Sequence, residues 1–409
     1  MRSGAARPSG QNRVLILLLV SVWINYIDRG NLSVAAPILA PELGLTPTRL
    51  GVLFSAFFWT YAGFQAVAGW MVDRYDVYRL YAAGFLVWSA ATLLTGVSSG
   101  FAALLALRML LGLGESVAYP AYSRILTTEF PEHKRGMANA LVDVGTKAGP
   151  AVGTLAGGLL VAGFGWRFLF LSIGLASLVW LIPWMRSIPA AAEGRARRIR
   201  GPGIREILRR RQAWVTFVGL FGFNYAFYFL LSWLPSYLVM ERKFSLQAMS
   251  VYGALPYGAT AVASLVTGYL TDRHIARSGP ASVRKHVAIA GLVLCATTLP
   301  AVAIVPTVPA MALLVISFVG IGMYTANAWA ITQTLAGPLA AGQWTGVQNA
   351  IGNLGGVVAP VVTGWLVSGT GSFYGAFLAA AMNLAMAAML YLFALGPVVP
   401  VRWQAGQDG

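Results

Sequence analysis

Charge is what this chain has least of. Asp, Glu, Lys and Arg make up 10% of its 409 residues, against about a quarter in soluble domains, which excludes an ordinary water-soluble globule. Cysteine is nearly absent: a single residue, Cys295, leaves no intramolecular disulfide to form, and its place in an apolar stretch reads as core filler. The three histidines, His133, His274 and His286, show no ligand spacing, so no metal and no cofactor is expected. No nucleophile–base pair stands out either, so an enzyme is not expected. A cleavable leader is not expected, since the first apolar stretch is too long, carries Asp28 and Arg29, and lacks a convincing small-residue cleavage site.

What the chain does have is apolar length. Hydrophobic residues make up 57% of it and the mean hydropathy is +0.68. Apolar stretches, each long enough to cross ~30 Å of hydrocarbon, cover residues 14–39, 50–72, 80–98, 101–127, 136–164, 166–185, 213–239, 246–271, 287–306, 309–335, 344–368 and 373–396. The expected fold class is therefore an all-α integral membrane protein of twelve helices, with no room for a soluble domain larger than a loop.

The net charge of +16 would suggest nucleic acid in a soluble protein, but its distribution suggests a bilayer. Arg2, Arg7 and Arg13 precede the first span, Arg74 and Arg79 follow the second, Lys134 and Arg135 the fourth, and Arg273, Arg277, Arg284 and Lys285 the eighth. The joint after the sixth span is the most basic, from Arg186 to Arg211. The opposite loops hold little beyond Glu42, Arg49, Arg167, Glu241, Arg242 and Lys243. That alternation follows the positive-inside rule and places both termini in the cytoplasm. These arginines orient the protein and are suited to anionic lipid; nucleic acid is not an expected partner.

Residues 187–212 form the one long internal linker, polar, Arg-rich and broken by Pro and Gly. It separates an amino-terminal six-helix half (1–186) from a carboxy-terminal one (213–409), and 204–211 has the pattern of a short amphipathic helix on the cytoplasmic surface. A repeat supports the division. Gly69, Asp73 and Arg74 close the second span, and Gly268, Asp272 and Arg273 close the eighth, 199 residues further on. The glycine is expected to let two helices approach, and the aspartate to pair with a neighbouring base. This reads as a gating and packing element.

Four charged residues lie inside spans: Asp28 and Arg29 in the first, Arg108 and Glu115 in the fourth. Each costs about 2.5–3.5 kcal/mol at the bilayer centre on insertion scales, so they should face a shared interior. At 1.5 Å per residue, Asp28 and Glu115 both stand roughly 21–22 Å above the cytoplasmic face, and Arg108 about 10 Å nearer the outside. One reading is a salt-bridge staple between two helices; the other is a carboxylate that alternates between an arginine and a proton. The second accounts better for the cost. Arginine keeps its charge and presents a planar fork suited to a carboxylate.

The fifth span adds Asp143 and Lys147, four residues apart and near the midplane at Lys147. Lys147 either grips a second anionic group or pairs with Asp143. Around them Gly136, Gly145, Gly149, Pro150 and Gly153 make a small-residue stripe for close helix packing. The second half offers no clear charge in mid-membrane. It carries neutral and aromatic groups instead, among them Asn224, Tyr225, Tyr228, Trp233, Tyr257, Asn327, Trp329, Gln333, Gln348, Asn349 and Asn353. One half handles charge and the other can recognise hydroxyls or an apolar body, which suits an amphiphilic organic anion.

The segments 25–37 (NYIDRGNLSVAAP) and 108–120 (RMLLGLGESVAYP) resemble the anion:cation symporter branch of the major facilitator superfamily. So do 228–238 (YFLLSWLPSYL) and 346–356 (GVQNAIGNLGG). The likeness covers nearly the whole chain and implies the twelve-helix major facilitator fold, with the substrate site at the midplane between two six-helix halves. It further implies a monomeric, proton-coupled importer of a sugar acid or other carboxylate in a bacterial inner membrane. Asp28 and Glu115 would carry protons, Arg29 would bind the substrate carboxylate, and Arg108 would couple charge movements. Tyr26 and Tyr61 would line the pocket from the first half, Trp329 and Asn349 from the second. Two departures stand out. Asp76 replaces a usual glycine in the loop motif, and Thr146-Lys147 replaces a usual glutamine, which opens the way to a dicarboxylate or aromatic carboxylate. The glycine–proline pattern of the fifth span also resembles the antiporter motif of drug exporters, except at Thr154, so an exporter or exchanger is the alternative.

Overall fold

The computed structural model describes residues 8–129, 132–188, 202–277 and 282–403. Among them every regular element is helical. In chain order these are α1 (Pro8–Glu42), α2 (Pro47–Arg74), α3 (Val77–Thr95), α4 (Phe101–Glu115), α5 (Ala118–Glu129), α6 (Glu132–Met185), α7 (Ile204–Leu208) and α8 (Arg211–Ser236). A π-turn (Tyr237–Glu241) extends α8; α9 (Leu246–Ala276), α10 (Val283–Ile304), α11 (Thr307–Thr370) and α12 (Tyr374–Met389) follow. Ten helices among the described residues are long and apolar enough to cross a membrane. One of them, Ala148–Met185, turns at Gly165; with both its arms and with α2, the layout is consistent with twelve spans.

The breaks have local causes. Gly165 (φ +82) and Gly337 (φ +63) let α6 and α11 each turn back as two helical arms, a conformation that costs a residue with a Cβ. Pro120 has no N–H and its ring opposes the carbonyl of Ser116, so the fourth span divides into α4 and α5 directly after Glu115. Asp76, unusual for the loop motif, is the N-cap of α3 and accepts from the N–H groups of Tyr78 and Arg79.

The chain divides into two compact units: Met1–Arg195 with Leu234–Ala254, and Ala196–Trp233 with Leu255–Gly409. The segment Leu234–Ala254, which belongs to the second half by chain order, packs within the first unit, where a Cβ at Gly158 would lie 2.8 Å from that of Ser250. Half of the linker, 189–201, falls outside the described residues; α7 and its flanks lie within them.

In the first unit the glycine stripe of α6 lies on α1. A Cβ at Gly145 would meet Val22 at 2.8 Å, one at Gly149 Tyr26 at 2.6 Å, and one at Gly153 Ile27 at 3.3 Å. Gly112 of α4 is tighter still, with the carbonyl oxygen of Phe57 on α2 in the space a Cβ would take. The Thr60 hydroxyl closes the same crossing by donating to the Met109 carbonyl at 2.6 Å. The second unit repeats this scheme. Gly352 and Gly355 of α11 abut Leu220 and Tyr225 of α8, and Thr260 donates to the Phe318 carbonyl at 2.8 Å.

The gating glycines have more room. A Cβ at Gly69 meets nothing within 4 Å among the described residues, and one at Gly268 makes an ordinary 3.8 Å contact with Ala326. Among the described residues, neither glycine is pressed against a neighbouring helix. A paired prediction follows from these clearances. Gly112→Ala should lower the thermal midpoint of the detergent-solubilised protein, since overpacking costs about 1–3 kcal/mol or more. Gly69→Ala should leave it unchanged or raise it, because alanine is the better helix former by roughly 1 kcal/mol.

Candidate functional site

Sequence neighbours on α1 and two turns of α4 build the centre of the first unit. All four intramembrane charges are buried there: Asp28 at 1% exposure, Arg29 at 8%, Arg108 at 6% and Glu115 at 0%. The Nε of Arg29 donates to Oε2 of Glu115 at 2.8 Å. Asp28 lies in electrostatic reach of both Glu115 and Arg108, and accepts from Asn31 Nδ2 at 3.0 Å. Its Oδ2, the Oε1 of Glu115 and the Nε of Arg108 have no hydrogen-bond partner among the described residues.

Aromatic rings surround Arg29. Its guanidinium carbon stands 4.6 Å from the centroid of Tyr61, 4.9 Å from Tyr26 and 5.1 Å from Phe57, a set of cation–π contacts worth most where water is excluded. Tyr26 is itself held by a hydroxyl–hydroxyl bond of 2.8 Å to Tyr119, one turn beyond Glu115. Phe57 and Tyr119 were not singled out from sequence. The usable signal was the four-residue spacing of Phe57 and Tyr61, which puts both rings on one face of α2.

The remaining expected residues are distributed as follows. Asp73, Asp143 and Lys147 lie in helices, with side chains outside the described residues. Arg74 lies against Trp70, 5.6 Å from its ring centroid. In the second unit Asp272 accepts from Arg284 at 2.6 Å, and Arg273 donates to the hydroxyl of Tyr269 at 3.3 Å. Trp329 and Asn349 are half-buried on α11.

The second unit explains its own lack of charge. Residues 224–228, Asn-Tyr-Ala-Phe-Tyr, repeat 25–29, Asn-Tyr-Ile-Asp-Arg, at the spacing that relates Gly69 to Gly268. Tyr228 stands where the repeat has Arg29, and donates to Asn353 Oδ1 at 3.0 Å. Gln348, fully buried, accepts from Thr332 at 2.8 Å. Neutral bonds there replace the ion pair.

Membrane-crossing helices, repeated packing and a buried charge cluster in one unit define a multi-pass membrane protein. The chain belongs to the Major Facilitator Superfamily, whose family model matches residues 18–360. It is 32% identical to a probable sulfoacetate transporter, SauU, of Cupriavidus necator, over 96% of this chain and 95% of that protein. Against the hexuronate transporter of Bacillus subtilis the identity is 29% (94% and 95% covered), and against a D-galactonate transporter of Escherichia coli it is 28% (96% and 98%). The fold is similar to that of a bacterial homolog of the human lysosomal transporter Spinster, crystallised inward-facing and occupied. The TM-score is 0.84 over 95% of this chain and 97% of that one, at 18% identity, a likeness of fold alone.

Proposed function

We propose that this protein is a proton-coupled symporter that imports a small organic anion by alternating access. Arg29 binds the anion's carboxylate, and Asp28 and Glu115 carry the coupling protons. The observation that carries the reading is the arrangement at Arg29: a buried guanidinium paired through Nε with one carboxylate and caged by three rings. A substrate carboxylate that takes the place of Glu115 leaves a buried acid without its cation. Such an acid takes up a proton, since an uncompensated charge costs several kcal/mol. Arg108, within reach of both acids, keeps the local charge balanced as this exchange occurs.

The names of the relatives support the substrate class: sulfoacetate, hexuronate and D-galactonate are all organic anions. Tyr26 and Tyr61 line the anion site of the first unit, Lys147 serves a second anionic group, and Trp329 and Asn349 are substrate-binding residues of the second unit. The basic loops support a bacterial inner-membrane orientation with both termini cytoplasmic, and a monomer is the proposed working unit.

The test begins with a thermal-shift screen of purified protein against sulfoacetate, D-galactonate, D-glucuronate, succinate and benzoate. At least one acid should raise the midpoint. In proteoliposomes an outside-acid gradient should then drive that acid inward; efflux driven by the same gradient would instead indicate an exchanger.

A further inference from the structure

Two buried cations share one ring at Phe57. The guanidinium carbon of Arg29 stands 5.1 Å from its centroid and that of Arg108 5.4 Å, and Phe57 itself is 1% exposed. Tyr61 stacks on the ring at 5.1 Å with an interplanar angle of 20°, and Phe58 meets it edge-on at 5.0 Å. The backbone is held as firmly, because the Phe57 carbonyl fills the space left by the missing side chain of Gly112. The ring is therefore packed by two neighbouring rings on a closely held stretch of backbone.

Arg29 and Arg108 are like charges in electrostatic reach of each other, and in a low dielectric their repulsion is strong. Glu115 offsets it for Arg29 through a direct bond. Arg108 has no salt bridge among the described residues and its Nε is buried without a hydrogen-bond partner there; besides the field of Glu115 and Asp28, its guanidinium meets the negative face of Phe57.

We infer that Phe57 is a positioning residue for anion recognition: its ring holds the Arg29 and Arg108 guanidiniums together, so that Arg29 keeps its planar fork aligned for the substrate carboxylate. The inference rests on the reading that Arg29 binds the anion. It also assigns the ring a role at the moment of exchange. When a substrate carboxylate displaces Glu115, Arg29 keeps its place because the ring contact does not change partners.

A phenylalanine that only fills space depends on shape, whereas this role depends on the electron density of the ring. Fluorination separates the two, since successive fluorines drain the face while nearly preserving volume. The full-length protein is prepared with mono-, tri- and pentafluorophenylalanine at position 57. Each form is titrated with whichever acid of the five-member panel shifts the wild-type midpoint. The dissociation constant should rise stepwise with fluorine number, to about tenfold at pentafluoro. Phe57→Leu should raise KM for uptake by at least as much, with the maximal rate within about twofold of wild type.

A flat affinity series, in a protein where Arg29→Gln abolishes binding, overturns the role of Phe57 and leaves the anion site standing. Wild-type affinity in Arg29→Gln, or no response to any of the five acids, overturns the anion site itself and the inference with it.

Discussion

Asp28→Asn should abolish accumulation of the anion against its gradient while the protein still folds and still binds. The substitution keeps the shape of the side chain, and an amide oxygen can still accept from Asn31. It removes only the capacity to exchange a proton. A pH step of one unit supplies about 1.4 kcal/mol per proton, or a tenfold concentration ratio per coupled proton. Proteoliposomes with an imposed one-unit gradient should therefore accumulate labelled anion at least tenfold with the wild type, and only to the ratio set by the membrane potential with the variant.

Glu115→Gln should show the same loss with a further signature. Glu115 occupies the Nε of Arg29, so neutralising it removes the internal competitor of the substrate. Anion affinity should rise in this variant as uphill transport disappears. If both variants still accumulate substrate against a gradient, the protons travel elsewhere.

Arg29→Gln carries the second large effect, with the opposite sign for affinity. Truncating one member of a buried, hydrogen-bonded charge pair costs about 2–5 kcal/mol at a binding site, which corresponds to roughly a thirtyfold or greater loss of affinity. Arg29→Lys should recover little of it. Lysine keeps the charge but lacks the planar fork and its stacking on rings, and three rings lie within cation–π range of the Arg29 guanidinium. Isothermal titration with the anion separates the outcomes; a lysine variant as tight as wild type would show that charge alone is recognised.

Much of this site was legible in the chain because hydrocarbon makes charge conspicuous. Four ionisable residues in two spans had to share an interior, and the rise per residue put Asp28 and Glu115 at one depth. Partner choice was not legible. Arg108 stands two turns from Glu115 on the same span, yet the direct bond runs from Arg29 on α1. That choice depends on how far each helix is rotated toward its neighbour, which residue spacing along one helix does not specify. Phe57 was hidden for a different reason. An aromatic residue in an apolar span is ordinary, and only its distances to two guanidiniums set it apart.

The glycines show the same division. The stripe on the fifth span announced close packing, and Gly145, Gly149 and Gly153 do face α1. Gly69 carried an equally strong motif signal but stands in open space among the described residues. A glycine permits approach without requiring it; whether a second helix comes near depends on where that helix runs.

The amino-acid sequence by itself determined the membrane as the solvent, the helix as the only available element, the spans, and the few residues with chemistry to perform. These follow from transfer energies of individual side chains, which are local. Only the tertiary structure decided that Arg29 pairs with Glu115, that Phe57 serves two arginines, and that Tyr228 with Asn353 fills the corresponding place in the second unit. Those outcomes depend on contacts between helices far apart in the chain, including close approaches where glycine meets backbone.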